Sequence, residues 1–184
     1  MTPYKLTEET KMVEGITLYR IELTEDCIWG KAGTKGGWIE KESNLIEDAW
    51  IADNAQVYGR AIISGRAQVY GNAQVSGRAR VSDGAWVSGD AWVSGCAYVC
   101  GNAQVSGNAQ VFGNARVWGS TRIFGGAHVC GDAHVCGDAQ VYGDALVSGR
   151  AHVSGRDQVS SGGHDGVSGN SVPTWYVDNC IYGV

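Results

Sequence analysis

Hydrophobic positions recur every six residues along most of this chain. From Ile51 onward an aliphatic side chain, Val or Ile, occupies every sixth position nineteen times in succession. Ala stands two residues before each of them, except where Thr121 and Asp157 replace it. Gly stands two residues after each of them and is replaced only by Asp53, Asp83 and Ser161. The positions between are mostly polar, so the chain repeats the phrase Ala-x-Val-x-Gly-x.

A period of six predicts short β-strands rather than helices. An amphipathic helix needs apolar residues at i, i+3, i+4 and i+7, and a six-residue period does not keep that face. Six is a multiple of the strand period of two, so Ala and Val point to one side and their neighbours to the other. Gly then allows the chain to turn a corner. We therefore predict an all-β fold, a parallel β-helix with the cross-section of a triangular prism, eighteen residues per coil and about six coils.

The segments outside the repeat predict caps. We expect an N-terminal cap over residues 1–48, the repeat over 49–160, and a C-terminal cap or tail over 161–184. Ile16–Leu23 alternates like a strand, and the glycine-rich segment from Gly30 to Gly37 is expected to be a loop. The open strand edges of a β-helix need such covers.

Charge and hydropathy narrow the function classes. The net charge of −5 argues against general nucleic-acid binding, which favours a basic protein. No apolar run approaches the ~18 residues that a membrane helix requires, and the N-terminus does not have the pattern of a signal peptide. We expect a cytoplasmic protein without a membrane partner.

The motifs resemble a known superfamily. The Ala-x-Val-x-Gly-x run, preceded by Gly-Gly-Trp-Ile-Glu at residues 36–40, is similar to the hexapeptide-repeat left-handed β-helix superfamily, and within it to phage and prophage proteins of the polymer-forming type. The resemblance implies a left-handed single-stranded β-helix and a homotrimer with prisms side by side. It also implies the cytoplasm of an infected or lysogenic bacterial host.

Outward side chains suggest an anion-binding site. Residues eighteen apart should stack into columns, and many outward positions carry aromatic side chains, which is unusual for a solvated surface. One coil combines arginine with aromatic residues, which suit phosphate groups and bases respectively. Four more arginines lie in the first coils, where the segment between Asn54 and Ser82 has no acid. The candidate ligand-binding residues are Phe112, Arg116, Trp118, Arg122, Phe124, Arg60, Arg66, Arg78 and Arg80.

Histidine raises an enzymatic alternative. The superfamily includes acyltransferases that use a His beside a loop leaving the prism, and zinc enzymes with three His ligands. His128, His134 and His152 are the residues to consider, and Cys136 shares the face of the last two. However, the ladder has no insertion that could close over a substrate. The sequence therefore favours a non-catalytic protein without a cofactor or metal, with His134, His152 and Cys136 as weak metal candidates.

Three functions remain open at this level. The leading hypothesis is a non-catalytic phage-type binding protein that sequesters a small anionic ligand, such as a nucleotide immune signal, in the grooves of a homotrimer. An acyltransferase-like enzyme and a structural rod for a virion or another assembly are the alternatives.

Overall fold

The repeat folds into a three-sided coil of short parallel strands. A computed structural model describes residues 2–160 of the chain. Within them one 3-10 helix, Glu42–Asn44, accompanies twenty-two strands. The strands are β1 (Tyr4–Val13), β2 (Ile16–Leu23), β3 (Lys35–Ile39), β4 (Trp50–Ile51), β5 (Gln56–Val57), β6 (Ile62–Ile63), β7 (Gln68–Val69), β8 (Gln74–Val75), β9 (Arg80–Val81), β10 (Trp86–Val87), β11 (Trp92–Val93), β12 (Tyr98–Val99), β13 (Gln104–Val105), β14 (Gln110–Val111), β15 (Arg116–Val117), β16 (Arg122–Ile123), β17 (His128–Val129), β18 (His134–Val135), β19 (Gln140–Tyr142), β20 (Leu146–Val147), β21 (His152–Val153) and β22 (Gln158–Ser160).

Every third strand of the coil joins the same sheet. Sheet 1 has the order β1-β2-β3-β5-β8-β11-β14-β17-β20, sheet 2 the order β6-β9-β12-β15-β18-β21, and sheet 3 the order β4-β7-β10-β13-β16-β19-β22. Within the coil each strand pairs in parallel with the strand eighteen residues further on, for example Val87 with Val105. The all-β fold and its triangular arrangement are confirmed.

The coil begins earlier than the repeat phrase does. In sheet 1, Trp38 and Ile39 already pair in parallel with Gln56 and Val57. Leu45 forms a parallel bridge to Ile63. Ile39 and Leu45 thus occupy ladder positions one coil before the Ala-x-Val phrase becomes regular. The structure has about seven turns, one more than the nineteen repeats alone predict.

The inside of the prism is a dry ladder of Ala and aliphatic side chains. The ladder residues from Ile51 to Val141 are fully buried, as is each Ala that precedes them. Thr121 takes one Ala position; it too is completely buried, and its hydroxyl has no hydrogen-bond partner. Among the described residues, the inside of the coil is thus filled by small and aliphatic side chains, and the outward positions are those that a ligand can reach.

The corners use the left-handed backbone conformation. Gly107 has φ +67°, and a Cβ on it would lie 3.0 Å from the backbone nitrogen of Gly125 in the next coil. Asp83 and Asp53 take the same conformation without being glycine, with φ of 60° and 55°. The carboxylate of Asp83 accepts the backbone N–H of Gly101, and that of Asp53 accepts the N–H of Gly71. An acid at a corner thus gains a hydrogen bond in return for backbone strain.

The first strands cover the open end of the prism. β1 and β2 form an antiparallel hairpin that continues sheet 1 beyond β3. The residue before β1, Thr2, donates its N–H to the carbonyl of Glu47 and its hydroxyl to that of Ala49. Trp29 Nε1 donates to the carbonyl of Asp48 at 2.9 Å. These carbonyls belong to the first coil, which has no preceding strand to pair with them, so the N-terminal segment satisfies them.

Two sequence expectations for the N-terminal segment have different outcomes. The strand expected at Ile16–Leu23 is β2, with the same bounds. The loop expected over Gly30–Gly37 ends early, because β3 begins at Lys35. Gly36 and Gly37 belong to β3, and these strand positions require glycine because a Cβ would lie 2.6 Å from Ile21 and 2.4 Å from Ile51 respectively. The expected C-terminal cap, residues 161–184, lies outside the described residues.

Candidate functional site

One outward column of sheet 2 concentrates basic and aromatic side chains. The first residue of each strand points out, and parallel pairing in register stacks these residues along the prism. Tyr98 pairs with Arg80 on one side and Arg116 on the other. Arg116 pairs with His134, and His134 with His152. We refer to Arg80, Tyr98, Arg116, His134 and His152 as the basic column.

The cations of this column are available to a ligand. Arg80 and Arg116 are exposed, and within residues 2–160 neither makes a salt bridge. Tyr98 between them is 37 % exposed, which is high for a large aromatic side chain. Its phenol oxygen accepts a hydrogen bond from the hydroxyl of Ser82 at 3.2 Å, which orients the ring on the sheet. An unpaired guanidinium on either side of an exposed ring can bind an anion that also carries a planar group.

Two further arginines lie along the edge of the same sheet. Arg60 and Arg78 occupy successive coils at the corner that leads into sheet 2, and both side chains are exposed. Arg66 lies at the other edge, on the corner from sheet 2 to sheet 3. Arg60, Arg66, Arg78 and Arg80 are far from Arg116 and Trp118 in the sequence. All six residues nevertheless lie on sheet 2 or at its edges.

The other predicted site residues do not join this sheet. Phe112 follows β14 and lies on sheet 1, whereas Arg122 and Phe124 lie on sheet 3. Phe124 instead stacks on Tyr142 of the next coil, with ring centroids 5.3 Å apart and planes at 8°. Residues that share one coil are distributed over three faces, so proximity in the sequence does not bring all five together.

The histidines form an edge-to-face series beside Trp118. The ring centroids of Trp118 and His134 are 5.5 Å apart, and those of His134 and His152 are 6.2 Å apart. Cys136 Sγ lies 3.8 Å from His152 Nε2. Among the described residues, no group of three or more His, Cys, Asp or Glu side chains has a geometry that could hold a metal ion. The rings of Trp118, His134 and His152 pack edge to face, and the imidazole nitrogens do not converge on a common point with other metal ligands of the described chain.

The thiols of sheet 2 are poor nucleophiles. Burial raises the pKa of Cys136, and burial is also the largest cause of the raised pKa of Cys100. A raised pKa keeps a thiol protonated at neutral pH, whereas nucleophilic catalysis requires the thiolate. Neither cysteine has the environment of an activated residue.

A surface depression lies at a corner, at the edge of sheet 2 rather than over the basic column. It has a volume of about 850 Å³ and lies between the first coils at the edge of sheets 2 and 3. Glu47, Arg66, Asp83 and Asn102 are among the residues that line it. The carboxylates of Glu47 and Asp83 are occupied by backbone N–H groups of Gly65 and Gly101. These acids therefore stabilise corners.

Comparison with known proteins agrees with this architecture. Four stretches, residues 55–71, 73–89, 109–125 and 139–155, match the family model described as the YdcK beta solenoid repeat. The chain is a β-solenoid repeat protein. No curated protein matches it. Within the described part of this β-solenoid, no helix is long and apolar enough to cross a membrane.

The basic column contains the residues that sequence reasoning missed. Tyr98 was not among the predicted binding residues, and His134 and His152 were considered only as metal ligands or catalytic residues. The eighteen-residue register was the signal that links them to Arg80 and Arg116. Chemically, the arrangement offers two guanidinium groups, imidazoles and aromatic ring faces, and the thiols beside them are not activated.

Proposed function

We propose that this β-solenoid is a non-catalytic, phage-type binding protein that sequesters a small anionic ligand, such as a nucleotide signal, on sheet 2. One observation carries the proposal: the exposed Tyr98 lies in register between Arg80 and Arg116, which have no ion-pair partner among the described residues. Guanidinium groups bind phosphate through charge-assisted hydrogen bonds, and an aromatic side chain can stack on a base.

The surroundings of the column support binding rather than catalysis. The cysteines beside it have raised pKa values and are not activated. Arg60 and Arg78 add positive charge along the edge of the sheet, which raises the local concentration of anions. A flat face excludes water poorly, so a second prism packed beside it would strengthen binding. A homotrimer with sheet 2 facing a groove is part of this proposal.

Nucleotide binding to the purified protein tests the proposal. Isothermal titration calorimetry with a panel of cyclic and linear nucleotides should detect at least one ligand. Arg80→Gln and Arg116→Gln should each weaken binding about tenfold or more, the loss of one charge-assisted contact. Arg122→Gln is the matched control, because Arg122 is equally exposed but lies on sheet 3.

Two results would contradict the proposal. One is the absence of binding across the panel together with no nucleotide in the mass spectrum of the protein purified from infected cells. The other is an equal loss of affinity in the Arg122→Gln control, which would indicate a general charge effect. Sedimentation equilibrium tests the trimer separately. If the protein is a monomer and still binds nucleotide, only the proposed groove between subunits is wrong.

A further inference from the structure

The negative charge is distributed unevenly along the chain. Residues 1–48 contain ten of the nineteen acidic residues against six cationic ones. Residues 49–160 contain eight arginines and seven aspartates, so the solenoid itself is slightly positive. The overall charge of −5 predicts weak attraction for nucleic acid, but most of the negative charge is in the N-terminal segment rather than around the basic column.

The acidic side chains nearest to the column are engaged elsewhere or lie at its edges. The carboxylate of Asp83 accepts the N–H of Gly101 at 3.1 Å. Asp132, at the corner before β18, accepts a hydrogen bond from Asn114 at 2.9 Å. Asp138 lies at the opposite corner, and the column itself has no acidic member. The positive charge of the column is therefore not cancelled within the face.

The members of the column are arranged along a line rather than around a point. Its five members occupy five successive strands of sheet 2, from β9 to β21. Four strand intervals span about 19 Å at the usual spacing of ~4.8 Å. Parallel pairing in register holds these groups side by side along one sheet. A compact phosphate can contact only part of such an array, whereas an extended chain of anionic groups can contact all of it.

Aromatic side chains accompany the cations at two levels of the column. Tyr98 is a member of it, and Trp118 lies beside Arg116 on the same strand extension. Trp118 also contacts His134 edge to face, with ring centroids 5.5 Å apart. Alternating cations and aromatic rings along a flat face are the chemistry by which proteins bind single-stranded nucleic acid without reading its sequence.

We infer that the ligand of the basic column is a short single-stranded oligonucleotide that lies along sheet 2. This inference rests on the proposed function and specifies its ligand as an extended chain. Its phosphates contact Arg80 and Arg116, and the imidazole N–H groups of His134 and His152 donate further hydrogen bonds to it. Its bases stack at Tyr98 and Trp118. The length of the column accommodates about four nucleotides, at the low end of known single-strand sites.

Fluorescence anisotropy with labelled oligothymidylates of one, two, four and eight nucleotides tests the inference. Affinity should rise by at least about tenfold from one to four nucleotides and then level off, because no further column residues remain to be contacted. With two to three phosphate contacts, the logarithm of the affinity should fall against the logarithm of the salt concentration with a slope of about −2.

Variants separate charge from stacking. Arg80→Gln with Arg116→Gln should reduce both the affinity for the tetranucleotide and the salt slope. Tyr98→Ala should reduce the affinity about tenfold and leave the salt slope unchanged. The control Trp86→Ala removes an aromatic side chain of similar exposure, 43 %, from sheet 3 and should not alter binding.

Each other outcome overturns the inference in a distinguishable way. If a mononucleotide binds as tightly as the tetranucleotide, the proposed function stands and the extended ligand is wrong. If inorganic polyphosphate of equal charge competes as well as the tetranucleotide, the bases contribute nothing and the assignment to nucleic acid is wrong. If neither nucleotides nor oligonucleotides bind, the proposed function fails together with the inference.

Discussion

The carboxylate of Asp83 reaches one coil along the prism and accepts the backbone N–H of Gly101 at 3.1 Å. Asp83 has a left-handed backbone with φ 60°, where most of the other corners have glycine. Asp53 and Gly71 repeat this relationship on another corner, at 3.0 Å. These two interruptions of the glycine pattern are therefore structural, because each acid is hydrogen-bonded to the corresponding corner of the next coil.

Substitutions at Asp83 should separate the hydrogen bond from the backbone strain. Asp83→Ala loses the bond but keeps the left-handed conformation, so we expect a destabilisation of about 1–2 kcal/mol. Asp83→Gly also loses the bond but relieves the strain, so its cost should be smaller by about 1 kcal/mol. Chemical denaturation of both variants measures the difference. Equal midpoints for the two variants would show that strain is not stored there.

The glycine corners impose a second requirement, the close approach of successive coils. In Gly107→Ala, the new Cβ would lie 3.0 Å from the nitrogen and 3.1 Å from the oxygen of Gly125, which are both backbone atoms. Gly15→Ala, in the β1–β2 turn at φ +79°, has the same conformational strain but no atom within 4 Å. We expect about 1–2 kcal/mol for Gly15→Ala and clearly more for Gly107→Ala. Thermal unfolding of the pair checks this order, and equal losses would argue that the coils can separate without cost.

The ladder and the columns could be predicted from the sequence because the repeat is strictly periodic. Once Val87 and Val105 are assigned to the same position of successive coils, every other residue has a face and a neighbour. The hairpin β1–β2 could not be predicted in the same way, because Tyr4–Val13 mixes apolar and charged residues without clear alternation. The conformation of β1 depends instead on its pairing with β2 and on contacts with the first coil.

The site was predicted less completely because sequence proximity and spatial proximity differ in a three-sided coil. Arg116 and Arg122 are six residues apart and lie on different sheets, whereas Arg80 and Arg116 are thirty-six residues apart and lie in one column. The burial of individual outward residues also depends on three-dimensional neighbours. Trp50 is 6 % exposed and Trp86, two coils along the same sheet, is 43 % exposed.

A charge in the ladder should prevent folding. Val105 is completely buried between Val87 and Ile123. Val105→Asp places a carboxylate without a cationic partner in a core lined almost entirely by Ala and aliphatic side chains, which costs several kcal/mol or more. Gln104→Asp is the control, since Gln104 is the adjacent residue of β13 and points outward. Circular dichroism and solubility should show a folded control and an unfolded or aggregated Val105→Asp; a soluble Val105→Asp variant with an unchanged melting temperature would contradict the core as described.

The phenol of Tyr4 should make the stability of the N-terminal cap depend on pH in the alkaline range. Its oxygen lies 3.1 Å from the carbonyl oxygens of both Glu42 and Leu45. Burial, and then the charge of Glu42, raises the pKa of Tyr4 from 10.0 to about 12. Because the folded protein holds the proton more tightly than the unfolded chain does, the contribution of Tyr4 is complete below pH 10 and is lost as the pH rises towards 12.

Tyr4→Phe should lower the stability at pH 8 by about 1 kcal/mol, the value of one hydrogen bond, and should reduce the alkaline loss relative to the unmodified protein. Urea denaturation of both proteins between pH 8 and 12 measures the two curves, and curves that stay parallel across this range would show that Tyr4 does not titrate with the unfolding of the cap.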